Sequence, residues 1–166
     1  MENNLPEGWE VVRLVDYIEM VPTGVKEYRG KKKYFSTGSI QANGIESEGV
    51  FEFINRPSRA NRIVDSGDVL QARMRNTDKG ILIDKSLNGQ LFSTGFLQLK
   101  APASLYLNKL LYYYVKSDYF LTQKNNLATG STQEALTDNK AKSLTIPLLP
   151  LPEQHRIVQR LDALME

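Results

Sequence analysis

The chain has no cysteine in its 166 residues and only one histidine, His155. A disulfide framework and a thiolate zinc site are therefore excluded, and one imidazole is too little for a His-based metal site or triad. No apolar run approaches the roughly 18 residues that a membrane helix needs. The opening "MENNLPEGWE" is acidic and has no apolar centre, so it does not read as a signal peptide. These absences describe a soluble, cytoplasmic domain. The phosphate-cradling patterns GxGxxG and GxxxxGK[ST] are missing, as is the GxSxG of an exposed nucleophile. There is no Asn/Asp-Pro-Pro-aromatic segment of the kind that adenine methyltransferases use on a flipped base. Asp65 and Asp68 flank Ser66-Gly67 and read as turn formers, and Glu46 and Glu48 have no catalytic lysine at nuclease-like spacing. The residues offer no catalytic centre.

The length suits one domain with a sizeable core. The net charge of +2 is small, but it is unevenly spread. Residues 1–25 carry five acids against Arg13, whereas residues 26–79 carry eleven basic residues against seven acids. A concentrated positive region on a near-neutral protein suits a polyanion. The alternative for Lys31-Lys32-Lys33 alone is a solvated, solubilising loop.

Alternating or apolar runs predict strands in "GWEVVRL", "KKYF", "GVFEFI", "GDVLQARM", "ILIDKS" and "LFSTGFLQLKA", joined as a meander. Asn43-Gly44 is a hairpin signal, and "VDYIEM" reads as a helical turn. After Pro102 the period changes. Leu105, Leu107, Leu110, Leu111, Tyr114 and Val115 fit one helix, and a second starts at the N-cap Ser117 and stops before Gly130. "SLTIPLL" is a last strand. Pro152 opens a terminal helix with Ile157, Val158, Leu161, Leu164 and Met165 on one stripe. The fold class is α+β: a mainly antiparallel, curved β-sheet with helices packed at one side and a C-terminal helix.

Three basic loops, "KEYRGKKKY", "NRPSRANR" and "RMRNTDKG", mix Lys and Arg with Asn, Ser and Thr near strand ends. Lys and Arg hold phosphates, Arg matches guanine O6/N7, and Asn or Gln matches adenine. Base selection is assigned to Arg73, Arg75, Asn76 and the stretch Lys31–Thr37. The alternative places Arg73 or Arg75 in an ion pair with Asp65, Asp68 or Asp78. Tyr112, Tyr113 and Tyr114 read as core residues with one exposed ring. Trp9 reads as an anchor against the terminal helix, and His155 as an exposed helix residue.

"LPEGWEVVRL", "GDVLQARMRNTDKG", "ATGSTQEAL" and "IPLLPLPEQHRIVQRLDALM", in that order, resemble the target-recognition half of a type I restriction–modification specificity subunit. The most specific piece is Gly-Ser-Thr-Gln followed by Ile-Pro-Leu and Leu-Pro-Glu-Gln-x-Arg-Ile-Val. The resemblance implies a non-catalytic reader of one half of a split double-stranded DNA target. Residues 1–150 would be the recognition domain, and residues 151–166 the start of a spacer helix that docks methyltransferase (M) subunits. S-adenosylmethionine, ATP and Mg2+ would belong to those partners and to a restriction (R) subunit, with no cofactor or metal on this chain. The expected DNA contacts are Lys31, Lys32, Lys33, Ser36, Thr37, Arg59, Arg62, Arg73, Arg75, Asn76, Thr77, Lys79, Gly130, Ser131, Thr132 and Gln133. The expected docking stripe is Ile157, Val158, Leu161 and Leu164. A chain of this length implies a fragment or a natural half-subunit, monomeric or weakly dimeric. "VPTGV" departs from the Gly-Gly-Thr-Pro-like turn of many relatives. The packet Thr129–Gln133 either touches DNA or braces the domain. The competing function is a protein-interaction module that presents its terminal helix. The DNA reading requires the cationic loops to converge on one side.

Overall fold

A computed structural model describes residues 5–130 and 134–165. Strand β1 (Glu10–Arg13) pairs antiparallel with β12 (Thr145–Leu148), so the first and last strands lie side by side. Between them run β2 (Glu19–Met20), β3 (Lys31–Phe35), β4 (Ile40–Gln41), β5 (Gly44–Ile45), β6 (Gly49–Glu52) and β7 (Arg62–Ile63). These are followed by β8 (Val69–Ala72), β9 (Ile81–Leu82), β10 (Leu91–Phe92) and β11 (Phe96–Lys100). Three helices, α1 (Asn108–Val115), α2 (Asp118–Leu127) and the single turn α3 (Asp138–Ala141), precede β12, and α4 (Leu151–Leu164) follows it.

Two four-stranded sheets have the orders β6-β3-β10-β7 and β2-β11-β8-β9, and β4-β5 is a separate hairpin. Among the described residues all strand pairings are antiparallel except β3 with β10. The mainly antiparallel α+β class therefore holds, but the meander does not. "LFSTGFLQLKA" is two strands in two sheets. The Gly95 amide donates to Ser93 Oγ and the Phe96 amide to the Ser93 carbonyl, which turns the chain from one sheet into the other. "ILIDKS" is cut after Leu82, because Asp84 accepts from the Ser86 amide and starts a 3-10 turn over Lys85–Leu87.

The sheet β2-β11-β8-β9 is covered on both faces. Val69, Leu97 and Leu99 pack with Leu111, Val115, Phe120 and Ile146 of the helical layer and β12. Leu70 and Phe96, one residue out of phase, pack with Phe35 and Phe92 of the other sheet. This gives three layers: helices, inner sheet, outer sheet. Burial on both faces explains why β8 and β11 read as continuous apolar or buried runs.

Helix α2 begins as its Ser117 cap foretells, with the hydroxyl accepting from the Phe120 amide. Helix α4 starts at Leu151 with Pro152 in its first turn and is locked to the domain by the "LPEQ" segment. The Trp9 indole donates to Glu153. The fully buried Gln154 donates to the carbonyls of Leu105 and Leu149 and accepts from the Leu107 amide at 2.9 Å, which fixes the entry to α1. The expected docking stripe is split by this packing. Val158 is buried in the domain's own core, so it is corrected from a partner-docking to an internal role, while Ile157 packs against that core and stays half-exposed. Leu161 is half-buried, while Leu164 and Met165 are 70% and 73% exposed. Among the tyrosines Tyr114 is buried, with Tyr112 and Tyr113 half-buried. His155 is exposed. Among the described residues no helix is long and apolar enough to cross a membrane.

Candidate nucleic-acid interface

Strand directions gather several loops at one rim. Because β3 and β10 are parallel, Phe35 and Phe92 end at the same side, where Ser36–Ser39 and Ser93–Gly95 follow. Strand β7 runs opposite to β10 with Arg62 beside Phe92, so the preceding Arg59–Asn61 arrives there too. Strand β8 pairs with β11 such that Ala72 meets Phe96, which brings Arg73 and the loop to Gly80 to the same rim. Direct bonds join these pieces. The Thr94 amide donates to the Arg59 carbonyl, the Arg73 amide to the Gly95 carbonyl, and Lys79 Nζ to the Ile40 carbonyl at 2.5 Å.

The rim also receives the segment after the serine–threonine packet. The Arg75 amide donates to the Glu134 carbonyl, Met74 bridges Ala135, and the Leu136 amide donates to the Arg73 carbonyl. Two motifs about 60 residues apart in sequence thus run antiparallel as a short ribbon. On its other side the packet's start is held by Lys140, whose Nζ donates to the Thr129 carbonyl. The flanks are therefore braced. Ser131, Thr132 and Gln133 lie outside the described residues. Gly130 is exposed with φ +87°, and an added Cβ would meet nothing within 4 Å among the described residues. Its glycine answers a left-handed backbone rather than crowding within the chain.

The remaining expected contact residues divide by their place relative to this rim. Lys31, Lys32 and Lys33 lie on β3, and Lys31 sits about 13 Å before Phe35 at a strand's rise per residue, away from the rim. Lys31 and Lys33 are exposed, whereas Lys32 lies over the Tyr28 ring at 5.1 Å. Ser36 and Thr37 are at the rim and half-exposed, with the Ser36 hydroxyl donating to Glu48 at 2.6 Å. Arg59 is exposed there, and its Nη2 would stand 3.1 Å from a Cβ built on Gly95.

Arg62 and Arg73 are corrections. Arg62 is 1% exposed, donates Nη1 to the Val21 carbonyl at 2.9 Å, and leaves Nε and Nη2 unpaired among the described residues. Burial, reinforced by the nearby Arg73 charge, pulls its pKa down to about 10. Arg73 is 9% exposed; it donates to the carbonyls of Phe96 and Leu136 and to the Asp138 carboxylate. Both guanidiniums are buried beneath the rim and donate to internal partners. An arginine does enter an ion pair as the alternative held, but with Asp138 in place of Asp65, Asp68 or Asp78.

Arg75 and Asn76 stay at the surface. Arg75 is half-buried and pairs loosely with Glu134 at 3.3 Å. Asn76 is exposed with φ +60°, and its amide donates to Asn125 Oδ1 at 2.8 Å. Thr77 is half-exposed. Lys79 commits a donor to Ile40, as above. The convergence is therefore narrower than expected: Ser36, Thr37, Arg59, Arg75, Asn76, Thr77, Lys79 and Gly130 belong to it.

The polar spine under this rim leaves no mark in local sequence pattern. Lys124 of α2 is fully buried and donates Nζ to the carbonyls of Ala72 (3.0 Å) and Thr77. Burial pulls its pKa down to about 8, against an opposing pull from Asp78. Gln71, 1% exposed, donates to Asp78 at 2.9 Å and to the Val115 carbonyl at 2.7 Å, and accepts from the Lys79 amide. Asp68 fastens a different corner, accepting from Gln98 and Lys100. No cluster of metal-ligating side chains occurs among the described residues.

A family model for the type I restriction modification DNA specificity domain matches residues 6–166. The chain belongs to this family. It is similar to a Methanocaldococcus jannaschii protein named as the type I restriction enzyme MjaX specificity subunit, at 28% identity over 96% of this chain and 37% of that protein. A Haemophilus influenzae relative, named as specificity subunit S.HindORF215P, is 30% identical over 58% of this chain and 23% of its own length. The crystal structure of the HsdS subunit from Thermoanaerobacter tengcongensis superposes with TM-score 0.83 at 30% identity, covering 99% of this chain and 44% of that one. The M. genitalium S subunit, 19% identical with TM-score 0.63, shares the fold. This specificity domain thus spans less than half the length of the relatives it matches.

Proposed function

We propose that the chain reads one half of a split duplex target without catalysis of its own, and directs methyltransferase and restriction subunits to it. The observation that supports this most is the convergence of Ser36–Thr37, Arg59 and Arg75–Asn76 at one rim, reached from three separate loops. In this reading Arg75 and Asn76 face base edges, since a guanidinium matches guanine O6/N7 and a carboxamide matches adenine N6/N7. Arg59, Thr37 and Lys79 face phosphates, and the Thr129–Gln133 packet adds contacts that position the backbone. Arg62 and Arg73 brace the rim from below. S-adenosylmethionine, ATP and Mg2+ are assigned to the partner subunits.

Selection from a randomised duplex library, with the full gene product assembled with its methyltransferase partner, tests this. Arg75→Ala is expected to relax preference at one base position by about 1–3 kcal/mol. An equal loss on every sequence would instead make Arg75 a phosphate contact. A second role rests on Leu161, Leu164 and Met165, which the domain leaves wholly or partly uncovered on α4. They suit docking to a partner helix, with association that is insensitive to salt and lost in Leu161→Glu.

A further inference from the structure

The loop Arg73–Gly80 carries the residues assigned to base reading, yet little of its shape comes from itself. Its internal bonds are weak or local: Thr77 Oγ1 to the Arg75 carbonyl at 3.4 Å, and the Gly80 amide to the Asp78 carboxylate. The rest reach in from elsewhere. Gln71 holds Asp78 and the Lys79 amide, Lys116 stands 3.2 Å from Asp78, and residues 134–136 hold the first turn.

At the centre of the loop two consecutive residues of α2 decide its course. Lys124 bonds the carbonyls of Ala72 and Thr77, which lie on either side of the Arg73–Asn76 segment. Those carbonyls are turned into the protein, where an ammonium with three donors satisfies both and an apolar side chain would satisfy neither. Asn125 then accepts the amide of Asn76, the one non-glycine residue with positive φ among the described residues. An L-residue rarely adopts that conformation, and it reverses the chain where Arg75 and Asn76 project. One helical turn therefore fixes both the depth of the loop and the direction of its tip.

We infer that Lys124 and Asn125 are positioning residues for DNA recognition: they set the left-handed turn at Asn76 and so the aim of Arg75 and Asn76, without touching DNA themselves. This rests on the proposed reading of the rim. The consequence is that base preference depends on residues of the supporting helix as well as on those of the loop tip.

The test uses the assembled full gene product and a randomised duplex library, with Asn125→Ala as the principal variant because Asn125 is only partly buried. The expected result is a drop of about tenfold in discrimination at the positions that Arg75→Ala or Asn76→Ala alters. Affinity for a non-specific duplex and the slope of log K against log salt should stay at wild-type values, because no phosphate contact is removed. Asn125→Asp keeps the acceptor and should restore the preference profile, whatever its added charge does to affinity. An unchanged profile in Asn125→Ala, or a uniform loss at every position, overturns the positioning role. If Arg75→Ala and Asn76→Ala also leave every preference intact, the reading of the rim fails with it.

Discussion

The amide of Arg75 donates 2.8 Å to the carbonyl of Glu134, and the same two residues face each other again through their side chains at 3.3 Å. The backbone bond fixes the ribbon, while the side-chain pair is exposed and exchangeable. A surface pair of this kind contributes about 0–1 kcal/mol, so a phosphate or guanine edge can displace the carboxylate. Glu134→Gln keeps the backbone bond and removes the competitor. Duplex affinity is expected to rise by up to about fivefold at low salt, read by fluorescence anisotropy. A fall in affinity would show that Glu134 orients Arg75 rather than competing for it.

Gly95 offers a second handle on the rim. Its backbone is unstrained for any residue, but a Cβ there would sit 3.1 Å from Arg59 Nη2 and 3.3 Å from Ser93 Oγ. Gly95→Ala should therefore move the Arg59 guanidinium and leave the fold intact. Binding is expected to weaken on all sequences alike, and Gly95→Ala combined with Arg59→Ala should be no worse than Arg59→Ala alone. Additive losses in that double-mutant cycle would place the effect elsewhere.

Lys124 gives a pH signature. Its folded pKa of about 8 lies below the ordinary lysine value of 10.5, because burial disfavours the charged form. Between those values the unfolded chain binds the extra proton, so unfolding free energy should rise as pH increases, and be flat below 8. The gain from pH 7.5 to 9.5 is on the order of 1–3 kcal/mol. Urea unfolding of wild type and Lys124→Met across that range checks it, with the rise expected to vanish in the variant. Parallel curves would assign the rise to another group.

Gln154 is the corresponding test for the terminal helix. Gln154→Ala strands the Leu107 amide and the carbonyls of Leu105 and Leu149 in the interior. A loss of about 2–4 kcal/mol is expected from denaturant unfolding, together with faster amide exchange in α1 and α4. A loss near zero would mean that water replaces the side chain.

Much of the architecture was legible in local chemistry. Ser117, Pro152, Asn43-Gly44 and Ser66-Gly67-Asp68 each act where their turn or cap preference puts them, since those preferences are decided within a few residues. Partner choice between strands was not legible. Nothing around Ser93-Thr94-Gly95 says that the chain leaves one sheet there for another, because that depends on the packing of Phe92 and Phe96 against Phe35 and Leu70. The same applies to the arginines. Arg59 and Arg62 share one basic stretch, yet one is exposed and the other is sealed beside Phe92 in β7. Lys124 sits in "TQKNN" like any surface lysine, and only the approach of Ala72 and Thr77 from about 50 residues away gives it an interior role.

The adjacency of Glu10–Arg13 to Thr145–Leu148 has a wider meaning. The polypeptide enters and departs through one narrow gate, so the whole rim is an excursion hung from a two-stranded stem. Changes of length or composition among the rim loops leave the spacing at that gate untouched. On the proposed reading of the rim, exchange of one such excursion for another would change the sequence preference with no adjustment to the stem.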